Sequence, residues 1–320
     1  MQTDTENITR KEAKRSELFR KLGPLIALFI MMGIVTVMNT AFIHPNNLLN
    51  LLRQVSVNAL IAFGMTFVII TGGIDLSVGS TLALTSALTA GIIGAGVPSI
   101  LAIAIGLVLG ALLGTFNGLI ISKGKVAPFI ATLATMTIYR GLTLVYTEGN
   151  PITNFGGDFS FQFFGRGYLF GIPFPVILMA VCFIILFFEL HKMTFGRKVF
   201  AIGGNEDASY IAGIKNDRIK TAVYAISGMM SALAGIILTS RLNSAQPTAG
   251  TSYELDAIAA VVIGGTSLAG GNGRIVGTLI GALIIGTLNN GLNLLGVSSF
   301  YQQVVRGIVI IIAVLLDRKD

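Results

Sequence analysis

The sequence is poor in charge, cysteine, histidine and tryptophan. Only 12% of its 320 residues are Asp, Glu, Lys or Arg, against roughly 25% in an ordinary soluble domain. The single cysteine, Cys182, allows no internal disulfide. The two histidines, His44 and His191, lie far apart in the sequence, so a zinc site has too few ligands. The composition therefore excludes an ordinary soluble domain and predicts no metal site.

What the sequence does contain is apolar residues and glycine. Hydrophobic residues make up 53% of the chain, 39 residues are Gly, and the mean hydropathy is +0.80. The glycines are dispersed among Leu, Ile, Val and Ala, which excludes a collagen-like or disordered chain. A net charge of +7 would suggest nucleic acid in a soluble protein, but here the basic residues cluster between apolar runs. We expect an all-α polytopic membrane protein embedded in a lipid bilayer, with no nucleic-acid partner.

The apolar runs divide into about ten segments of the length that a bilayer requires. The eighth ends in a glycine-rich stretch, so we expect that helix to be broken or re-entrant. The segments lie at about 23–43, 55–71, 79–96, 99–122, 126–147, 172–190, 219–241, 257–273, 275–293 and 301–316.

The basic residues predict the orientation of these segments. With the N-terminus in the cytoplasm, all the lysines and seven arginines lie in or beside predicted cytoplasmic segments, as the positive-inside rule requires. Five arginines remain at outer or embedded positions. We therefore expect a basic cytoplasmic segment at 1–22, one transmembrane domain at 23–320, and both termini in the cytoplasm.

Two rows of glycine predict close contacts between helices. Gly106, Gly110, Gly114 and Gly118 recur every four residues in the fourth segment, and Gly273, Gly277 and Gly281 do so in the ninth. Such rows allow two helix backbones to approach each other. They are compatible with a moving or dimerising seam or with static packing, and the second interpretation is the commoner one.

The long polar segment between the sixth and seventh spans carries the signals of a short helix. Asn205 is a favourable N-cap, Glu206 and Asp207 place negative charge in the first turn, and Gly213 stands where a helix of about two turns would end. So short a helix needs packing partners to be stable. It is either a connector or a docking element for a cytoplasmic protein.

Four motifs combine glycine with polar residues at the ends of the apolar segments. They are GGIDLSVGS at 72–80, GGNEDASYIAGI at 203–214, SAQPTAG at 244–250 followed by YELDAIAAVVIGGT at 253–266, and LNNGLNLLG at 288–296. Together they resemble the motifs of one family, the permease subunits of bacterial ATP-binding-cassette importers for monosaccharides. The resemblance covers nearly the whole chain after residue 22, and the fourth motif points to the ribose branch.

The resemblance implies partners and roles for particular residues. It implies an inner-membrane homodimer of ten-helix subunits, a cytoplasmic ATPase and a periplasmic binding protein that delivers the sugar. The short helix at 205–212 would couple the ATPase to transport, with Asn205, Glu206, Asp207, Ala208 and Gly213 as the residues concerned. This loop departs from the general importer pattern, since Asp207 replaces an Ala and Gly213 comes one residue later, but its spacing matches the sugar permeases.

The chain itself has no Gly-x-x-x-x-Gly-Lys-Ser/Thr loop for binding ATP. We therefore expect no enzyme activity and no cofactor bound directly, with ATP and Mg²⁺ held by the partner ATPase.

Polar side chains in or near the spans are candidates for a sugar path, because they are costly in lipid but suit hydroxyl groups. For each of them, helix–helix hydrogen bonding or ordinary loop polarity is an equally good explanation. The candidates are Asn58, Gln246, Tyr253, Glu254, Asp256, Asn289 and Asn293.

The glycine-rich turn at 72–79 is expected to have a structural or gating role. Asp75 lies there among Gly72, Gly73 and Gly79, in a predicted cytoplasmic turn where an anion needs a partner. We expect the loops at 148–171 and 242–256 to dock the binding protein.

The main alternative is an ion-coupled sugar transporter, which would place carboxylates in mid-membrane. The acidic side chains map instead to span ends. An intramembrane enzyme lacks any catalytic constellation.

Overall fold

The computed structural model describes residues 22–153, 155 and 159–317, and most of these residues are helical. The sheet within the described ranges is a hairpin of two antiparallel strands, β1 (Tyr168–Leu169) and β2 (Ile172–Pro173). The predicted basic segment at 1–22 lies, except for Leu22, outside the described residues. The all-α class predicted from the sequence is confirmed.

The helices follow one another through short turns. In chain order they are α1 (Leu22–Met38), α2 (Pro45–Ile70), α3 (Val78–Gly94), α4 (Ser99–Ser122), α5 (Pro128–Thr147), α6 (Phe159–Arg166), α7 (Phe174–His191), α8 (Thr194–Gly204), α9 (Glu206–Ile211), α10 (Asn216–Leu242), α11 (Tyr253–Ile263), α12 (Ile275–Leu294) and α13 (Ser299–Asp317), with a 3₁₀ turn at Thr40–Ile43.

Six helices, α2, α4, α5, α7, α10 and α12, are long and apolar enough to cross a membrane. Helices α1, α3 and α13 contribute shorter apolar stretches within the described ranges. Every predicted segment overlaps a helix. The eighth is interrupted as expected, because α11 ends at Ile263 and turns follow it to Arg274. Length and composition thus support six spans, and the count of ten stays a prediction.

The bundle has two ends. The α9 end gathers the turn 71–77, residues 123–127 and the segment 192–215, as well as the turns 264–274. The α6 end gathers α6, the hairpin and the segment 243–252.

Helices α2 and α10 form the centre of the bundle. The most apolar stretch of α2 is 83% buried and that of α10 is 67% buried, whereas the values are 22% for α7 and 28% for α5. The outer helices leave large aliphatic side chains exposed, such as Val108 on α4, Val145 on α5 and Ile185 on α7. Such a surface is unfavourable in water and is the one expected to face lipid.

The row of glycines on α4 packs directly against the backbone of α10. A Cβ on Gly114 would collide with the carbonyl oxygen of Tyr224, and a Cβ on Gly228 would collide with that of Gly110. The row on α12 does the same against α11, where Gly281 lies on the Ala260 carbonyl. The predicted close approach is confirmed, and both seams are contacts within one chain.

Helix α8 was not predicted from the sequence. Its eleven residues include three glycines, which lowers helix propensity. Tertiary packing overrides this weakness, because Val199 and Ile202 are buried against the rest of the bundle.

Candidate functional site

The predicted short helix is present as α9, at the α9 end of the bundle. The Asn205 side chain accepts a hydrogen bond from the backbone N–H of Ala208 at 2.9 Å and so caps the helix. Gly213 follows with φ +82°, a conformation that side chains disfavour. The cap and the stop predicted from these two residues are therefore confirmed as structure. Their part in coupling stays a prediction.

One side of α9 is tied to the start of α10. The Ser209 hydroxyl donates to Oδ1 of Asn216 at 3.0 Å, and Nδ2 of Asn216 donates to the Glu206 carbonyl oxygen at 2.8 Å. Lys220 Nζ donates to Oε2 of Glu206 at 2.6 Å. Since the Glu206 carboxylate is held by its own chain, the free acid of the first turn is Asp207, which is exposed.

The other side of α9 is apolar and open. Tyr210 is 73% exposed and Ile211 is 85% exposed. A groove of about 590 Å³ runs beside them, lined mainly by charged side chains: Lys123, Lys125, Glu206, Asp207, Tyr210, Lys215, Asn216, Asp217 and Arg218. An apolar knob with a charged rim has the composition of a protein-docking surface.

Polar residues on α10 form a stripe that leads from α9 into the bundle. Asn216, Lys220, Tyr224 and Ser227 stand at intervals of four, four and three residues, which places them on one face of the helix. The first two contact α9, and Ser227 Oγ donates to Oδ2 of Asp75 at 2.8 Å. The stripe therefore connects the exposed helix to the Asp75 turn.

Asp75 is buried, which the sequence did not predict. Its Oδ1 accepts hydrogen bonds from the backbone N–H of Ser77 at 3.0 Å and from the Ser77 hydroxyl at 2.6 Å. The turn joins α2 to α3, and burial raises the pKa of the Asp75 carboxyl, although the hydrogen bonds from Ser77 and Ser227 oppose this. The expected partner is thus a set of hydroxyl groups. The predicted structural role fits these contacts, and gating is untested.

The glycine-rich turn at 72–79 and the glycine-rich stretch after α11 meet at the α9 end. Gly72 follows α2 and Gly265 follows α11, and both glycines have positive φ. In each case the next residue donates a backbone hydrogen bond back to the helix, from Gly73 to Val68 and from Thr266 to Val261. Gly271 N–H donates to the Ile70 carbonyl oxygen at 2.9 Å, and Gly203 of α8 packs onto the same carbonyl. Three chain segments therefore converge on the end of α2.

At the α6 end, the segment before α11 enters the bundle. Arg140 of α5 donates to the carbonyl oxygens of Pro247 and Ala249 at 2.6 and 2.9 Å. Gly250 touches Gly79 at the start of α3, so the segments predicted for opposite faces are in contact. Most of the loop 242–256 is turned inward, and its exposed residues are Leu242, Thr248, Thr251 and Leu255. This restricts the docking surface expected there.

A second buried acid has a cation partner. Asp256 is 3% exposed, and its Oδ2 lies 3.6 Å from Nη1 of Arg306. Arg306 Nε also donates to Oδ1 of Asn289 at 3.1 Å. The cluster joins α11, α12 and α13. Asp75, in the turn after α2, and Asp256, in the first turn of α11, both lie at helix ends as the sequence predicts, but both are buried.

The other predicted path residues are dispersed. Gln246 donates to Ser244 Oγ at 2.9 Å, and Asn58 and Tyr253 are half-buried. Glu254 lies near Gly79, and Asn293 is exposed. The structure brings together Asp256 and Asn289 but does not unite the whole set, so their role in a sugar path is untested.

Sequence reasoning missed four polar groups that the structure emphasises: Arg140, Arg306, Asn290 and Tyr224. Asn290 exchanges amide hydrogen bonds with Asn47 of α2 at 3.0 and 3.1 Å. The Tyr224 hydroxyl is buried and has no hydrogen-bond partner in the described part of the chain. Arginines in an apolar segment were the available signal. Within the same described part, no three His, Cys, Asp or Glu side chains group as metal ligands do.

A bundle of long apolar helices with aliphatic side chains exposed on its outer surface defines a polytopic membrane protein. Residues 47–314 match the family described as "Branched-chain amino acid transport system / permease component", and the chain belongs to this family. It is similar to the ribose import permease protein RbsC of Bacillus subtilis (strain 168), with 66% identity over 319 residues, covering 100% of this chain and 99% of the relative.

Other relatives extend this similarity. The ribose import permease protein RbsC of Haemophilus influenzae (strain ATCC 51907 / DSM 11121 / KW20 / Rd) is 56% identical, with 91% of each chain covered. The D-allose transport system permease protein AlsC of Escherichia coli (strain K12) is 44% identical, with 93% of this chain and 91% of the relative covered. No solved structure matches. The resemblance to permeases of monosaccharide importers is confirmed.

Proposed function

We propose that this chain is the membrane permease subunit of an ATP-driven importer of D-ribose or a closely related monosaccharide. The observation that carries the proposal is the 66% identity over 319 residues with a ribose import permease. The same relatives include a permease for D-allose at lower identity, which favours ribose within the class of small sugars.

The assembly around the chain is part of the proposal. Two copies form a homodimer, a cytoplasmic ATPase supplies ATP and Mg²⁺, and a periplasmic protein delivers the sugar. The α9 end faces the cytoplasm, so that the Tyr210–Ile211 knob enters the ATPase and α10 carries its movement into the bundle. The exposed α6 end, with Phe170 at the tip of the hairpin, receives the binding protein.

The proposal places the subunit in the bacterial inner membrane with both termini in the cytoplasm and ten spans. The four spans beyond the six long apolar helices are α1, α3 and α13, whose apolar stretches are shorter, and the broken α11. A cysteine introduced at Thr248 should react with an impermeant thiol reagent added outside intact cells, and one introduced at Asp207 should react only after lysis. The reverse pattern would overturn the orientation.

One observation favours an ion-coupled transporter as the second candidate. Asp75 is a buried carboxylate without a cation partner among the described residues, as in proton-carrying sites.

Reconstitution separates the two candidates. The chain with its ATPase and binding protein should take up labelled ribose only with ATP, and an uncoupler should have no effect. Uptake that survives ATP depletion and collapses with an uncoupler would establish the second candidate instead. A panel of labelled sugars in the same vesicles gives the specificity.

A further inference from the structure

A second cavity lies beneath the Asp75 turn at the α9 end of the bundle. Its volume is about 510 Å³, within the range of small-molecule sites. The walls come from the glycine turn after α2, the end of α8, the start of α9 and one face of α10. The lining residues are Thr71, Gly72, Gly73, Ile121, Pro128, Ile202, Gly203, Gly204, Asn205, Glu206, Lys220, Tyr224 and Ala269.

The walls of this cavity suit hydroxyl groups. The Glu206–Lys220 pair supplies an acceptor and a donor whose charges offset each other, so the cavity carries little net charge. Glycine turns leave backbone groups without side-chain cover. Sugar hydroxyls both donate and accept hydrogen bonds. A neutral polyol therefore matches this lining better than an ion or an apolar ligand does.

Tyr224 provides the independent observation that points to a ligand. Its side chain is 1% exposed, its hydroxyl has no partner in the described part of the chain, and it lies against Gly73 in the cavity wall. A buried hydroxyl without a hydrogen bond costs free energy. Such a group calls for an explanation, and in a cavity wall a molecule bound in another state of the protein supplies one.

We propose that this cavity is a release-side binding site for the transported monosaccharide, in which Tyr224 and the Glu206–Lys220 pair hydrogen-bond to sugar hydroxyls. The inference rests on the proposed function. Because Glu206 belongs both to α9 and to the cavity wall, a shift of α9 changes the site directly. Sugar bound there hinders the next transport cycle, so product on the α9 side inhibits uptake.

The test is trans-inhibition in vesicles that hold the complete complex with ATP in the lumen. The initial rate of labelled ribose uptake is measured against increasing unlabelled ribose in the lumen, with mannitol as the osmotic control. We expect wild type to be inhibited and Tyr224→Phe to need about tenfold more lumenal ribose, since one hydrogen bond is lost.

Tyr139→Phe is the matched control. It also removes a buried hydroxyl, which donates to the Leu113 carbonyl oxygen at 3.0 Å and does not line the cavity. Its inhibition should equal that of wild type. Gly204→Val is a second cavity variant, because a Cβ on Gly204 meets no atom within 4 Å. It should also weaken the inhibition, and it serves if Tyr224→Phe does not fold.

The outcomes separate this inference from the proposed function. Absence of inhibition in wild type, or equal inhibition in wild type and both cavity variants, overturns the release-side site. If wild type shows no ATP-dependent uptake, the proposed function fails. Equilibrium binding of labelled ribose to the permease alone in nanodiscs then decides the site: weaker binding by Tyr224→Phe supports it, and equal binding overturns it.

Discussion

The exposed knob on α9 allows a quantitative prediction about the ATPase. Ile211 is 85% exposed, so its side chain contributes little to the folded bundle and is available for burial by a partner. Replacing it with Ala removes three carbons. At about 0.8 kcal/mol for each buried CH₂, we expect a loss of about 2.4 kcal/mol of binding free energy, or about 50-fold in affinity.

The assay is surface plasmon resonance between the immobilised permease in nanodiscs and the ATPase, with uptake measured in parallel. The thermal unfolding of Ile211→Ala should match that of wild type, because the side chain is exposed. Ile184→Ala is the matched control: Ile184 is 53% exposed on α7, away from the knob, and its loss should leave ATPase affinity unchanged. An Ile211→Ala permease that binds the ATPase as wild type does would refute the docking assignment.

Three further predictions concern stability. Asn205→Ala removes the N-cap of α9 at a cost of about 1 kcal/mol, so hydrogen exchange should accelerate in 206–211 but not in α10; unchanged exchange would contradict the cap. Gly114→Ala should destabilise the bundle by about 1–3 kcal/mol, because the added methyl group overpacks the α4–α10 seam. Gly141→Ala is the control and should have no effect, since a Cβ there meets open space. Equal melting temperatures of the two variants in detergent would contradict tight packing at the seam. Arg306→Met leaves the Asp256 charge buried and unpaired, so the free energy of unfolding should fall by about 3 kcal/mol. Adding Asp256→Asn should restore part of that stability. A double variant no more stable than Arg306→Met would refute the pairing.

Local signals in the sequence were sufficient for α9 and for the break after α11. Asn205 and Gly213 act on their own turns, so their roles do not depend on the rest of the fold. The glycine row on α4 was equally informative about close packing. The sequence did not show which helix packs against that row, because the partner, α10, lies about 100 residues further along the chain.

Other features depend on tertiary contacts and could not be predicted. Asp75 is buried and accepts a hydrogen bond from Ser227 of α10, which is 152 residues further along the chain. Sequence periodicity carries no information about such a contact. On α12, the predicted face contains Asn289 and Asn293, but Asn290, one position away, meets Asn47 instead. Helix α8 forms despite its glycines because the bundle packs against it.

The seam between α4 and α10 also bears on how the chain is made. At ~5–20 residues per second, the ribosome adds α10 on the order of 5–20 s after α4. Throughout that interval, the glycine face of α4 has only lipid or other early helices to contact. Assembly of the centre therefore waits for the second half of the chain, and a nascent chain that stops before Asn216 holds α2, α3 and α4 without the helix that joins them.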